Sequence, residues 1–225
     1  MRIPGPMAVL LAFAALAGCV SLKRTAEPRY FALRPVAGTP AVAASVALAS
    51  TDVALVVGVL PLALPGHLER PQFVSWIGPG EMRIDQFVRW AEPLASGAQR
   101  VLAVDLAEAL PSHRVITAPW PASTAPQCRV RVAVDRFGLQ PDGAVSLSGR
   151  FVVLAGSGER PLVSRAVDLR RPPDPGPPDP ARAVEAMSAL LADLAGEITE
   201  AVTALPADAN TPERSTAAVP AGPRS

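Results

Sequence analysis

The most regular pattern in the chain lies in its second half. Val130, Val132 and Val134 alternate with Arg129, Arg131 and Ala133, which puts the valines on one face of a strand. Asp142-Gly143 supplies a tight turn. Val145, Leu147, Phe151 and Val153 then alternate with Ser146, Ser148 and Arg150. Gly156-Ser157-Gly158 makes a second turn, and residues 162–169 a third strand. The spacing predicts an antiparallel meander. The first half is patchier. Tyr30-Phe31-Ala32-Leu33 reads as a short strand, and residues 35–52 as a loop or weak strand. Residues 53–60 form a β-branched apolar run stopped by Pro61 and Pro65, too short to cross a membrane and best read as a buried strand. Residues 73–77, closed by Gly78-Pro79-Gly80, and residues 82–90 predict a hairpin, and residues 114–117 a further strand.

Two segments switch to helical spacing. Leu102, Leu106 and Leu110 recur every four residues, with Ser96 as N-cap, Pro111 as stop, and Arg100, Asp105 and Glu108 turned to solvent. Residues 171–180 are Pro-rich and extended. Beyond them Val184, Met187, Leu191, Leu194, Ile198, Ala201 and Leu205 mark a long helix from Pro180 to about Ala204. About three heptads suit a helix packed on a sheet better than a coiled coil. From Pro206 onward periodicity stops and the composition predicts disorder. The pattern as a whole predicts an α+β fold, a mixed, largely antiparallel sheet with two main helices packed on it.

At the N-terminus the apolar run of residues 7–17 has the length of a signal-peptide core and is too short to span a bilayer. It ends in Leu16-Ala17-Gly18-Cys19, which resembles the bacterial lipoprotein signal. That resemblance implies a signal peptide over residues 1–18 and lipidation of Cys19, carrying acyl chains such as palmitate, as the first mature residue. By analogy Val20, standing where an inner-membrane retention Asp occurs, favours the outer membrane. Residues 19–29 read as a lipidated tether whose ten residues past Cys19 span at most about 35 Å.

Charge adds mainly exclusions. The chain carries 21 Lys and Arg against 20 Asp and Glu, and the signal removes Arg2, leaving a formally neutral chain with no basic stripe for nucleic acid. Cys128 is the one cysteine besides Cys19, so the expected role is a small packed side chain. His67 and His113 are the two histidines, too few for a His-rich metal site. No hydrolase elbow, zincin helix, C-x-x-C or Walker loop occurs; Gly156-Ser157-Gly158 is followed by neither Lys nor helix. No cofactor and no enzyme activity are expected.

Two further segments carry more than periodicity. One is Leu64-Pro65-Gly66-His67-Leu68-Glu69-Arg70-Pro71-Gln72-Phe73-Val74; the other is Arg89-Trp90-Ala91-Glu92-Pro93-Leu94. With the lipoprotein signal, the early Tyr30-Phe31-Ala32-Leu33 and the final Leu-rich helix, these resemble the PqiC family over residues 30–205. Members often carry Tyr where His67 stands and Asp where Glu69 stands. The resemblance implies a non-enzymatic auxiliary lipoprotein of ABC-type and MCE-domain intermembrane transport systems. Such a subunit docks the periplasmic MCE-domain component and its inner-membrane partners at the outer membrane, supports membrane integrity, and self-associates as a homo-oligomer. His67, Leu68, Glu69, Arg70 and Trp90 are the candidate interaction surface. The 64–71 segment suits either a rigid exposed contact loop, with Leu68 as its apolar point, or a turn that caps the sheet. Trp90 reads as a core wedge rather than a ligand platform. Other readings are an accessory lipoprotein of outer-membrane assembly or lipopolysaccharide transport, and a lipid-tethered periplasmic hydrolase.

Overall fold

The computed structural model describes residues 26–36, 55–121, 123–156 and 158–206. Cys19, the signal segment 1–18, most of residues 35–52 and the tail from residue 207 lie outside them. Eight strands and two helices follow in the order β1 (Arg29–Phe31), β2 (Val56–Val59), β3 (Gln72–Gly78), β4 (Glu81–Trp90), α1 (Leu94–Ala109), β5 (Arg114–Thr117), β6 (Cys128–Leu139), β7 (Val145–Ala155), β8 (Pro161–Arg171) and α2 (Pro180–Thr203). The fold is α+β, as the hydrophobic pattern predicts.

The strands divide between two mixed sheets rather than one. The larger has the order β5-β2-β6-β7-β8 and the smaller β1-β4-β3. In the larger sheet β2 runs parallel to both β5 and β6, while β6, β7 and β8 form the antiparallel meander. The proline-bounded segment after β2 separates the sheets. Residues 60–63 still follow β6, through the Leu60 and Ala63 amides to the carbonyls of Val130 and Val132. Pro65 and Pro71 then lack the donors needed to continue that ladder, and the chain leaves to build β3.

The alternation read from the sequence faces the core. Val130, Val132 and Val134 are buried, as are Leu147, Phe151 and Val153. Against this face lies α2, whose Leu190, Leu191, Leu194 and Ile198 are fully buried, and α1 adds Val101, Leu102 and Leu106. Among the described residues every buried core residue falls between Leu33 and Val202, so the chain from residue 20 onward retains that core. Cys128 is buried, and burial pushes its thiol up to about 11. Gly149 is required by closeness: a Cβ there would run into the Ala133 carbonyl oxygen.

The helix ends follow local chemistry, with one correction. Pro180 opens α2 and the Asp179 side chain accepts the Ala181 amide. Ser96, the expected cap of α1, lies inside that helix, which begins at Leu94 behind Pro93 without a side-chain cap. Pro93 already holds the backbone that a cap position needs, and its carbonyl accepts the first helical bond from Gly97. Asp105 is a second correction. It is not turned to solvent but 5% exposed on the inner face of α1. Burial raises its carboxyl to about 6, nearby Glu108 adds to the rise, and the Val36 amide opposes it.

Two outcomes test this packing. Leu191→Ala should cost about 2–5 kcal/mol by chemical denaturation, because the site is sealed by both helices and sheet. Asp105 contributes in the opposite sense. Its folded pKa lies above the ordinary 3.8, so the folded protein holds the extra proton between those values. Stability therefore falls as pH rises from about 4 to about 6 and is level above, a loss of up to about 3 kcal/mol. Asp105→Asn should raise the melting temperature at pH 7.5 and leave it unchanged near pH 4, where the native carboxyl is protonated.

Candidate interaction surface

The two motif segments meet in the small sheet. Gln72 lies opposite Arg89 in the β3–β4 register, and the Trp90 amide donates to the Pro71 carbonyl at 2.8 Å. Tyr30 of β1 flanks Arg89 on its other side. Residues level with one another across a sheet share a face, so Tyr30, Arg89 and Gln72 form one row. Phe31 and Trp90 form the next row and point the other way. Trp90 is buried and packs against Phe73, their ring centroids 5.6 Å apart. It is a wedge under the sheet, as expected of a large ring at a strand-to-helix junction.

The 64–71 segment is a single 3-10 turn, Gly66–Leu68. It closes through the Leu68 amide to the Pro65 carbonyl at 2.8 Å and the Glu69 amide to Gly66 at 3.3 Å. Leu68 is not an exposed apolar point: the turn folds it inward to 5% exposure, where it joins the core. An apolar side chain between two prolines has buried partners within reach, and the turn directs it to them. His67 is half-buried and meets the edge of Trp76 at 5.6 Å in a T-shaped contact. Glu69 is exposed and Arg70 half-buried. The structure thus brings His67, Glu69 and Arg70 to the surface of one turn, and places Leu68 and Trp90 beneath it.

The electrostatics of this corner are uneven. Neither Arg70 nor Arg89 is ion-paired among the described residues. The Nε atoms of both, and Nε2 of His67, are buried without a hydrogen-bond partner there. Buried polar atoms are ordinarily satisfied; these are shielded from solvent, while the charges of Arg70 and Arg89 are left without an acidic partner among the described residues. Glu92, in the second motif, is committed elsewhere. It pairs with Arg100, which also donates to the Leu33 carbonyl at 3.2 Å. The Arg34 amide donates to Ser188 of α2 at 3.2 Å. Glu92 thus helps hold the segment after β1 to α1 through Arg100, while Ser188 holds it to α2.

Some of this was beyond sequence reasoning. The Tyr30–Arg89–Gln72 row depends on β4 lying between β1 and β3, which no local pattern encodes. Asp85 is another case: its carboxylate accepts the Phe87 and Val88 amides at 2.8 and 3.1 Å and builds a bulge into β4. His113, near the start of β5, has its imidazole pKa lowered by burial. Among the described residues no group of three or more His, Cys, Asp or Glu is placed to hold a metal ion.

Known proteins place this arrangement. The family model for ABC-type transport auxiliary lipoprotein components matches residues 36–199. No curated protein matches the chain. An uncharacterized protein of known structure is similar at TM-score 0.63 and 19% identity, over 79% of this chain and 99% of that one. A Xanthomonas campestris protein of the family DUF330 is similar at TM-score 0.56 and 17% identity, over 78% of this chain and 92% of that one. At these identities the likeness speaks to the fold alone. The PelC dodecamer of Paraburkholderia phytofirmans stands farther off, at TM-score 0.39 and 15% identity over 63% of this chain and 82% of that one, and carries no argument here. The motif resemblance and the family match agree, and the chain belongs to the family of ABC-type transport auxiliary lipoprotein components.

Proposed function

We propose that this protein is a non-enzymatic lipoprotein subunit of an MCE-domain intermembrane transport system, anchored through Cys19 in the outer membrane and facing the periplasm. In this reading it docks the periplasmic component there, supports membrane integrity and works as a homo-oligomer. Lipids or other hydrophobic compounds pass through the assembled system. The family match carries the reading, since it spans most of the chain and is specific to auxiliary components of transporters rather than to a class of enzymes. The corner at residues 66–70 supports it. Two arginines without an acidic partner among the described residues, beside an exposed turn, suit an acidic patch on a docking protein, where charge sets orientation and partner choice. Leu68 and Trp90 act from below by fixing the turn.

Two sets of variants separate anchoring, folding and docking. Cys19→Ala should leave an unlipidated precursor that no longer fractionates with the outer membrane; an intact, unmodified N-terminus in the wild-type mature protein would contradict anchoring. Leu68→Asp should lower the melting temperature sharply, because a charge would be forced into the core. Arg70→Glu should leave the melting temperature near the wild-type value and abolish co-purification of the MCE-domain component from envelope membranes. Unchanged co-purification with Arg70→Glu would remove this corner from the docking account.

A further inference from the structure

The described surface has one concentration of exposed large apolar side chains, and it lies on the small sheet. Ile77, Met82, Ile84 and Phe87 are 36–44% exposed, all on the β3–β4 ribbon. The Asp85 bulge divides this ribbon. On its near side Val88 and Trp90 are buried. On its far side residues 81–84 are all exposed, and the ribbon projects to its tip at Gly78-Pro79-Gly80. The register puts Trp76 opposite Met82 and Val74 opposite Ile84, so Trp76, Met82 and Ile84 share one face. Arg83 lies opposite Ser75 on the other face and makes no ion pair among the described residues. A projecting ribbon with Trp76, Met82 and Ile84 on one face and Arg83 on the other, with Glu81 at its tip, carries the aromatic and apolar side chains of a membrane-interface element.

The direction of β1 says which surface it meets. β1 pairs with β4 in parallel, with Arg29 level with Val88. The chain before Arg29 therefore enters from the end where β4 begins, which is the ribbon-tip end. Seven residues of strand separate Val88 from Glu81, about 23 Å at ordinary strand rise. The ten residues from Cys19 to Arg29 reach at most about 35 Å. The described chain before Arg29 thus heads toward the ribbon-tip end, and the reach of the proposed tether is comparable to the distance to the tip.

We propose that the outer part of the β3–β4 ribbon, Trp76 to Ile84, seats in the headgroup layer of the bilayer that holds the Cys19 anchor. This rests on the anchoring proposed above and adds a second membrane contact to it. Acyl chains alone leave the domain free to swivel on its tether. The ribbon fixes one orientation, with the tip in the interface, Arg83 among lipid phosphates and the larger sheet away from the membrane. The turn at residues 66–70 touches the same ribbon through His67 and Trp76, so a partner docked there meets the protein beside the bilayer.

The test removes the anchor and asks whether the ribbon still finds the membrane. The chain of residues 20–225 would be mixed with vesicles of phosphatidylethanolamine and phosphatidylglycerol, read by flotation and by quenching of tryptophan fluorescence with brominated acyl chains. The wild-type chain should float with the vesicles and be quenched, and Trp76→Phe should abolish the quenching. Met82→Asp combined with Ile84→Asp should weaken vesicle association about tenfold or more without lowering the melting temperature, since a charge in the interface opposes insertion. Absence of flotation and quenching in the wild type would overturn the proposal. So would a double variant that loses oligomer mass in sedimentation but keeps its vesicle association, which would give the ribbon to a second copy of the chain. Because this chain lacks Cys19, these outcomes are independent of whether Cys19 is lipidated.

Discussion

Three residues of β1 set the geometry on which everything else depends. Arg29–Phe31 lie parallel to the end of β4, and the chain then passes Leu33 into the core between the helices. Arg100 holds the Leu33 carbonyl and Ser188 the Arg34 amide, so the segment is clamped from α1 and from α2. An N-terminal strand on an ordinary domain would fray. This one is locked, and the lock decides from which end of the domain the chain before Arg29 departs. Glu92, through Arg100, is part of that lock, which gives a structural reason for one acidic residue of the second motif.

The same small sheet gathers the features that bear on function. Its inner face supplies Phe31, Phe73, Val88 and Trp90 to the packing, its outer row presents Tyr30, Arg89 and Gln72, and its distal ribbon is apolar and projecting. The larger sheet and α2 contain most of the core and act as the scaffold. A division of this kind suits an adaptor. One part buries enough apolar surface to fold, which frees the other to expose side chains that folding alone would have covered.

Legibility in the sequence followed the range of the interactions. The meander of β6–β8, the hairpin and α2 are readable because each rests on local periodicity and turn chemistry. The division into two sheets was not readable. It depends on β2 pairing in parallel with strands far along the chain, which leaves no periodic trace. Helical spacing turns Asp105 to solvent, because a charged residue on a helix is ordinarily exposed; its burial appears only when the segment after β1 crosses α1. For Leu68 the sequence leaves an exposed loop and a sheet-capping turn both open, since a lone apolar residue between prolines gives no sign of which way its turn will face; the fold turns it inward. The motif pair at residues 64–74 and 89–94 was recognisable as two segments, but their direct contact through Gln72, Arg89 and Trp90 is a product of the fold.

The central claim is that the parallel β1–β4 pairing delivers a membrane anchor and an apolar ribbon to the same end of the protein. Hydrogen–deuterium exchange of the lipidated chain, compared between vesicle-bound protein and the chain of residues 20–225 alone in solution, tests it most directly. The account predicts new protection confined to the distal β3–β4 ribbon, residues 76–87, and to the tether before Arg29, with β5 to β8 and α2 unchanged. Protection spread over the larger sheet, with none on the ribbon, would contradict it.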